Sequence, residues 1–125
     1  MSKTVLVTGG AGFIGSYFVH YLRTHYPDYR IVILDALTYA GEYGNLPEEV
    51  NDPNDPRIQF WYGNVCNQGL VANLASGANI VVHFAAETHV TRSIFDNLVF
   101  FETDVIGTHS VVNAVIAAKN VDRFI

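Results

Sequence analysis

The sequence predicts an α/β domain built on a doubly wound parallel sheet. Three observations carry this: short β-branched runs bounded by turn residues, amphipathic stretches alternating with them, and a glycine-rich turn joining the first run to the first amphipathic stretch. TVLVT, Thr4 to Thr8, is apolar and β-branched almost throughout, as a strand covered on both faces must be. After the glycines, Phe13, Ile14, Phe18, Tyr21 and Leu22 recur at helical steps until Pro27 stops the pattern. RIVILD, Arg30 to Asp35, is a second buried strand. Residues 45–57 are rich in Pro, Asn and Asp and read as loop, with one helical turn after Pro47. IQFWY, Ile58 to Tyr62, is a third strand, and NQGLVANLA a short helix despite Gly69. NIVVHFAA, Asn79 to Ala86, is a fourth strand running into a polar turn. From Asn97 to Lys119 a broad apolar face (Val99, Phe100, Thr103, Val105, Ile106, Val111, Val112, Val115, Ile116) predicts one long helix. DRFI begins a fifth strand, so the expected sheet is truncated there.

Composition narrows the class. At 125 residues, 50% of them hydrophobic, the chain can build one core without disulfides or metal. The single cysteine, Cys66, excludes an intramolecular disulfide framework, and no Cys/His spacing of the zinc type occurs, so no metal site is expected. A net charge of −5 with seven Lys+Arg argues against a nucleic-acid partner. The opening apolar run is too short for a secretory leader or a membrane span, which leads to the expectation of a cytoplasmic protein without a membrane partner.

The glycine turn carries the first functional signal. Gly9-x-x-Gly12-x-x-Gly15, following a strand and opening a helix, is a relative of the dinucleotide fingerprint: one glycine turns the chain, one lets backbone approach a pyrophosphate, one lets helix pack on strand. Such a turn can also exist only to make a corner. Asp35 closes the second strand twenty residues after Gly15, where a carboxylate accepts hydrogen bonds from adenosine ribose hydroxyls and repels a 2′-phosphate. NAD is therefore favoured over NADP. The same aspartate could instead only cap the turn that follows, and both readings stand on the sequence.

Beyond His83 the chain becomes specific. HFAAETHVTRSI, together with TGGAGFIGS, LDALTYAG and ETDVIGTHSVVNA in the same order, resembles the nucleotide-sugar 4,6-dehydratases of the dTDP-glucose 4,6-dehydratase type, within the extended short-chain dehydrogenase/reductases. The resemblance runs over essentially the whole chain. It implies a Rossmann-type NAD-binding domain over residues 1–125 and a nucleotide-sugar substrate. By position, Phe13 and Ile14 would present backbone to the pyrophosphate, and Asp35, Ala36, Leu37 and Thr38 would hold the adenosine ribose. Asn64 and Val65 would flank adenine. Phe84, Ala85, Ala86, Glu87, Thr88 and Thr103 would line the nicotinamide side, and Thr88 would also face the sugar nucleotide. His89 is expected to be a structural hydrogen-bonding residue, and nothing is assigned to His20, His25 or His109.

The chain departs from the family pattern in places. Asn64-Val65 stands for Asp-Ile, Thr88 for serine, Thr91 for aspartate and Asp104 for asparagine, and the residues after Gly41 look like a small insertion. The family's Thr-Asp-Glu and Tyr-x-x-x-Lys groups have no counterpart: none of the seven tyrosines has lysine four residues later. No catalytic residue is therefore expected within residues 1–125, and the sugar-binding region is expected to be absent. The resemblance implies that the complete enzyme oxidises sugar C4 with NAD, eliminates water across C5 and C6, and returns hydride to C6. This stretch alone is expected to be inactive. It also implies a homodimer through the helix near residues 97–119. Nucleotide-sugar epimerases or decarboxylases, and a non-catalytic dinucleotide-binding module, remain the alternatives.

Overall fold

The computed structural model describes residues 2–38, 41–88 and 90–125, and for 90–92 the backbone alone. His89, and Tyr39 and Ala40 of LDALTYAG, lie outside the described residues.

The elements follow in alternation: β1 Thr4–Thr8, α1 Phe13–His25, β2 Arg30–Asp35, a 3-10 turn Tyr43–Asn45, β3 Ile58–Tyr62, α2 Gln68–Ser76, β4 Ile80–His83, α3 Val90–Phe95, α4 Asn97–Phe100, a π-helical turn Phe101–Gly107, α5 Thr108–Ala118 and β5 Arg123–Phe124. The strands form one parallel sheet in the order β3-β2-β1-β4-β5. The chain steps outward from β1 to β3, then returns to the other side of β1 for β4 and β5. That reversal opens a crevice beyond the carboxyl ends of β1 and β4, the place where open α/β sheets bind ligands. This is a doubly wound, Rossmann-like fold.

Strand alternation divides the interior. Val5 and Val7 of β1 point with Ile31 and Ile33 of β2 toward Val19 and Leu22 of α1. Leu6, Leu34 and Val81 point the other way, toward Val71 and Ala75 of α2 and Val111 and Ala114 of α5. Each face of the sheet is thus covered, which explains the unbroken apolar runs. Asn67 starts α2 by accepting the Leu70 N–H at 3.2 Å, so Gly69 is carried by a capped, packed helix.

Three expectations are corrected. The fourth strand ends at His83, not Ala86, because the Ala85 N–H turns to the Thr8 hydroxyl (3.3 Å) and leaves the ladder. The expected polar turn after it contains α3. The long helix over 97–119 is a continuous helical stretch but not one α-helix: seven residues are π-helical, and Lys119 closes it in the left-handed conformation, φ 59°. Its apolar residues also part company. Val111 is buried and Val115 packs against the α2–α5 core, whereas Leu98, Phe101, Val105, Ile106 and Ile116 are exposed.

Candidate functional site

The cleft beyond the carboxyl ends of the strands gathers residues from five separate stretches of sequence. Gly9 and Gly12 come from the turn after β1, Asp35, Ala36 and Thr38 from the end of β2, and Asn64 and Val65 from just past β3. Phe84, Ala85, Ala86 and Glu87 follow β4, and Thr103 stands on the π-helical turn. All twelve are residues expected above to take part in binding.

The three glycines of the motif have different reasons to be glycine. Gly9 has φ +68°, and a Cβ there would lie 2.6–2.8 Å from the Phe84–Ala85 backbone. A Cβ on Gly15 would run into the Gly9 carbonyl oxygen, so α1 crosses the turn with no room for a side chain. Gly12 has an ordinary extended backbone (φ −77°, ψ 179°), and its Cβ would meet only the Gly9 oxygen at 3.4 Å. Among the described residues no packing contact requires glycine at 12, which lines the cleft.

Gly12 is also the N-cap of α1. It offers no side-chain oxygen, and the first turn carries no acidic residue, so the leading N–H groups and the positive helix end meet no carboxylate of that turn. The Asp35 carboxylate is fixed nearby by two backbone donors, Ala11 N–H to Oδ2 at 2.9 Å and Leu37 N–H to Oδ1 at 2.8 Å. It therefore does cap the turn after β2, as the simpler reading has it. It keeps further lone pairs for a ligand, because a carboxylate has about four acceptor sites. Gly41 closes over it, where a Cβ would come 2.7 Å from Oδ1.

Five expected residues stand outside the lining. Phe13 and Ile14, the first two residues of α1, are 77% and 66% exposed. Gly15 lies beneath Gly9, Leu37 packs against the α1-side core, and Thr88 is exposed. Leu34, Gly41 and Gly63 line the cleft and had no assigned role. Gly63 had a signal, a glycine directly after an apolar strand, as Gly9 is. Asn64, in place of aspartate, accepts the Cys66 N–H at 2.9 Å and so shapes its own turn.

On the β4 side the polar side chains are linked. His83 lies between two hydroxyls, Nδ1 2.6 Å from Thr8 Oγ1 and Nε2 3.1 Å from Thr108 Oγ1. Burial pushes its pKa below the ordinary 6.5, and the Asp104 charge partly offsets this. Burial likewise pushes the Cys66 thiol up, with the Glu102 charge adding to it. Among the described residues no group of three or more His, Cys, Asp or Glu could hold a metal ion, and no helix is long and apolar enough to cross a membrane.

Residues 6–125 match the family described as GDP-mannose 4,6 dehydratase. The chain belongs to this dehydratase family. Within it, the chain is 46% identical over 121 residues to the low-salt glycan biosynthesis protein Agl12 of Haloferax volcanii, covering 97% of this chain and 37% of that one. It is 46% identical over 115 residues to a dTDP-glucose 4,6-dehydratase of Streptomyces antibioticus, covering 88% and 32%. The chain thus spans about a third of the length of these relatives. Among solved structures it superposes on the dTDP-glucose 4,6-dehydratase DesIV of Streptomyces venezuelae, solved with NAD bound, with a TM-score of 0.84 and 45% identity, covering 97% and 38%. A UDP-glucose 4-epimerase of Thermotoga maritima reaches a TM-score of 0.80 at 27% identity, covering 97% and 36%. The dehydratase family therefore shares its fold with an epimerase, and fold alone does not select the chemistry.

Proposed function

We propose that this chain is the NAD-binding part of a nucleotide-sugar 4,6-dehydratase, acting on dTDP-glucose or a close analogue to give a 4-keto-6-deoxy sugar nucleotide. The observation that carries the cofactor reading is Gly12: of the three glycines of the motif, it alone has no close contact among the described residues, and it lines the cleft together with Asp35. A backbone left bare toward a helix start is what a pyrophosphate needs. The residues fit the rest of NAD as well. Asp35, with both oxygens oriented by backbone donors, would receive the ribose hydroxyls; Asn64 and Val65 would flank adenine; and the Phe84–Thr88 segment with Thr103 would border the nicotinamide, Thr88 facing the sugar. When bound, the nicotinamide supplies the hydride acceptor and donor for a redox-neutral elimination. This part of the chain binds and orients; none of its tyrosines has lysine four residues later, the pair that the family's chemistry uses.

Titrations of the chain and of Gly12→Val with NAD and NADP test this. Wild type should favour NAD by at least about tenfold, ~1.4 kcal/mol, because Asp35 repels the 2′-phosphate. Gly12→Val should lose NAD while keeping its circular-dichroism spectrum. Normal NAD binding by the variant would show that the glycines only turn a corner.

The reading extends to a cytoplasmic homodimer joined through residues 97–119. Its support is the exposed row Leu98, Phe101, Val105 and Ile106, between 39% and 60% accessible, an apolar face of the kind that marks association. Sedimentation should show self-association that weakens in Phe101→Ser; a monomer at every concentration would rule it out.

A further inference from the structure

Resting on the reading of the cleft as a dinucleotide site, we infer that Asp104 is a positioning residue: its carboxylate holds the Glu87 backbone N–H and so fixes the Phe84–Thr88 segment across the cleft. That segment has left the sheet. Its root is held by Thr8, whose carbonyl accepts the Phe84 N–H at 3.0 Å and whose hydroxyl accepts the Ala85 N–H at 3.3 Å. Its far end is held by Asp104 Oδ1, which accepts the Glu87 N–H at 2.8 Å. The Glu87 side chain then accepts the Thr38 hydroxyl at 3.2 Å, linking the segment to the loop after β2. Without Asp104 the far end would keep, among the described residues, only the contact of the Glu87 side chain with the Thr38 hydroxyl, and the backbone of Ala86 and Glu87, both cleft-lining, would be freer to swing outward.

The π-helical turn gives Asp104 this reach. It is pinned at both ends to the segment after β3. Gly107 presses on Val65, where a Cβ would come 2.6 Å from Val65 Cγ2, and the Cys66 thiol donates to the Glu102 carbonyl at 3.1 Å. Between those anchors stand Thr103, which lines the cleft, and Asp104, which tethers the segment opposite. One widened turn thus supplies a wall residue and a tether side by side, in keeping with the tendency of π-bulges to occur at functional sites. The role needs an oxygen acceptor and does not need the charge, so the asparagine expected at this position by family resemblance would serve it too.

Amide hydrogen exchange and NAD titration on wild type, Asp104→Asn and Asp104→Ala test the inference, and because Asp104 is exposed all three are expected to fold. In Asp104→Ala the Glu87 amide should lose its protection and NAD affinity should fall about tenfold, the scale of one charge-assisted hydrogen bond. Asp104→Asn should keep the amide protected and NAD affinity within about twofold, since its Oδ1 still accepts. The lost charge should nevertheless show as a further fall in the His83 pKa, which a purely structural lesion would not produce selectively. Unchanged Glu87 protection in Asp104→Ala, or wild-type NAD affinity in that variant, would overturn the inference. Failure of wild type itself to bind NAD would sink the cofactor reading and with it the role proposed for the tether, whereas Glu87 exchange would still report whether the hydrogen bond exists.

Discussion

On the β2 wall of the cleft the chain is held by backbone pressed on backbone, and on the β4 wall by side chains reaching across. Gly9 abuts the Phe84–Ala85 backbone, Gly15 lies under the Gly9 carbonyl, and the Asp35 carboxylate is clamped between the Ala11 and Leu37 amides. Opposite, Thr8, His83, Thr108, Asp104 and Glu87 make their contacts through hydroxyl, imidazole and carboxylate groups. The difference concerns tolerance. Where backbone presses on backbone, as at Gly9 and Gly15, an added side-chain atom collides and no substitution is conservative, while a contact made by a side-chain hydrogen bond accepts a replacement that keeps donor and acceptor in place.

The sharpest way to break that comparison is within the glycine motif. Gly15→Ala should destabilise the chain by about 1–3 kcal/mol, the cost of forcing a methyl group into a filled space. Gly12→Ala, whose Cβ has room, should cost about 1 kcal/mol or less, in line with the modest preference for glycine over alanine at a helix N-cap. Paired thermal melts decide it. Equal losses at the two positions would mean that Gly12 is also owed to internal packing, which would remove the main support for a ligand approaching it.

A smaller effect is expected on the opposite wall. His83 is half-buried between two hydroxyls, and its pKa is pushed below the ordinary 6.5. Between the lowered folded value and 6.5 the unfolded chain binds the extra proton more readily, so stability is fully present above that range and is lost as pH falls through it. His83→Gln, which retains a donor and an acceptor, should flatten this part of the pH–stability curve while remaining folded at neutral pH. The Asp104 charge acts on His83 in the opposite sense, and the Thr8 and Thr108 hydroxyls contact it without titrating in this range. A curve that keeps its slope in His83→Gln would place the titration on another group.

The two walls also differed in how far the sequence disclosed them. The strands of the β2 side declared themselves through β-branched runs, and Asp35 through its distance from Gly15, because both follow from short-range rules. Twelve of the expected binding residues do line one cleft. The β4 side was harder. The end of the strand at His83 is set by the Thr8 hydroxyl, seventy-seven residues from Ala85 in sequence, which no local pattern encodes. The π-helical turn left no trace, since a stretch of seven residues is too short for its own period to show in the apolar spacing. That Asp35 caps its turn could be posed from sequence, but showing it took the sight of both its oxygens engaged by backbone donors.

The residues after Gly41, which resembled a small insertion, form the Tyr43–Asn45 turn, and this turn is stitched to the glycine loop. The Glu42 N–H and the Asn45 amide both donate to the Ala11 carbonyl, at 3.1 and 2.9 Å, while the Tyr43 ring meets Phe60 edge-on at 5.2 Å. Ala11 is the same residue whose N–H anchors Asp35. The segment is consequently no detachable module: trimming it would leave the Ala11 carbonyl without two donors and disturb the residue whose N–H holds the Asp35 carboxylate.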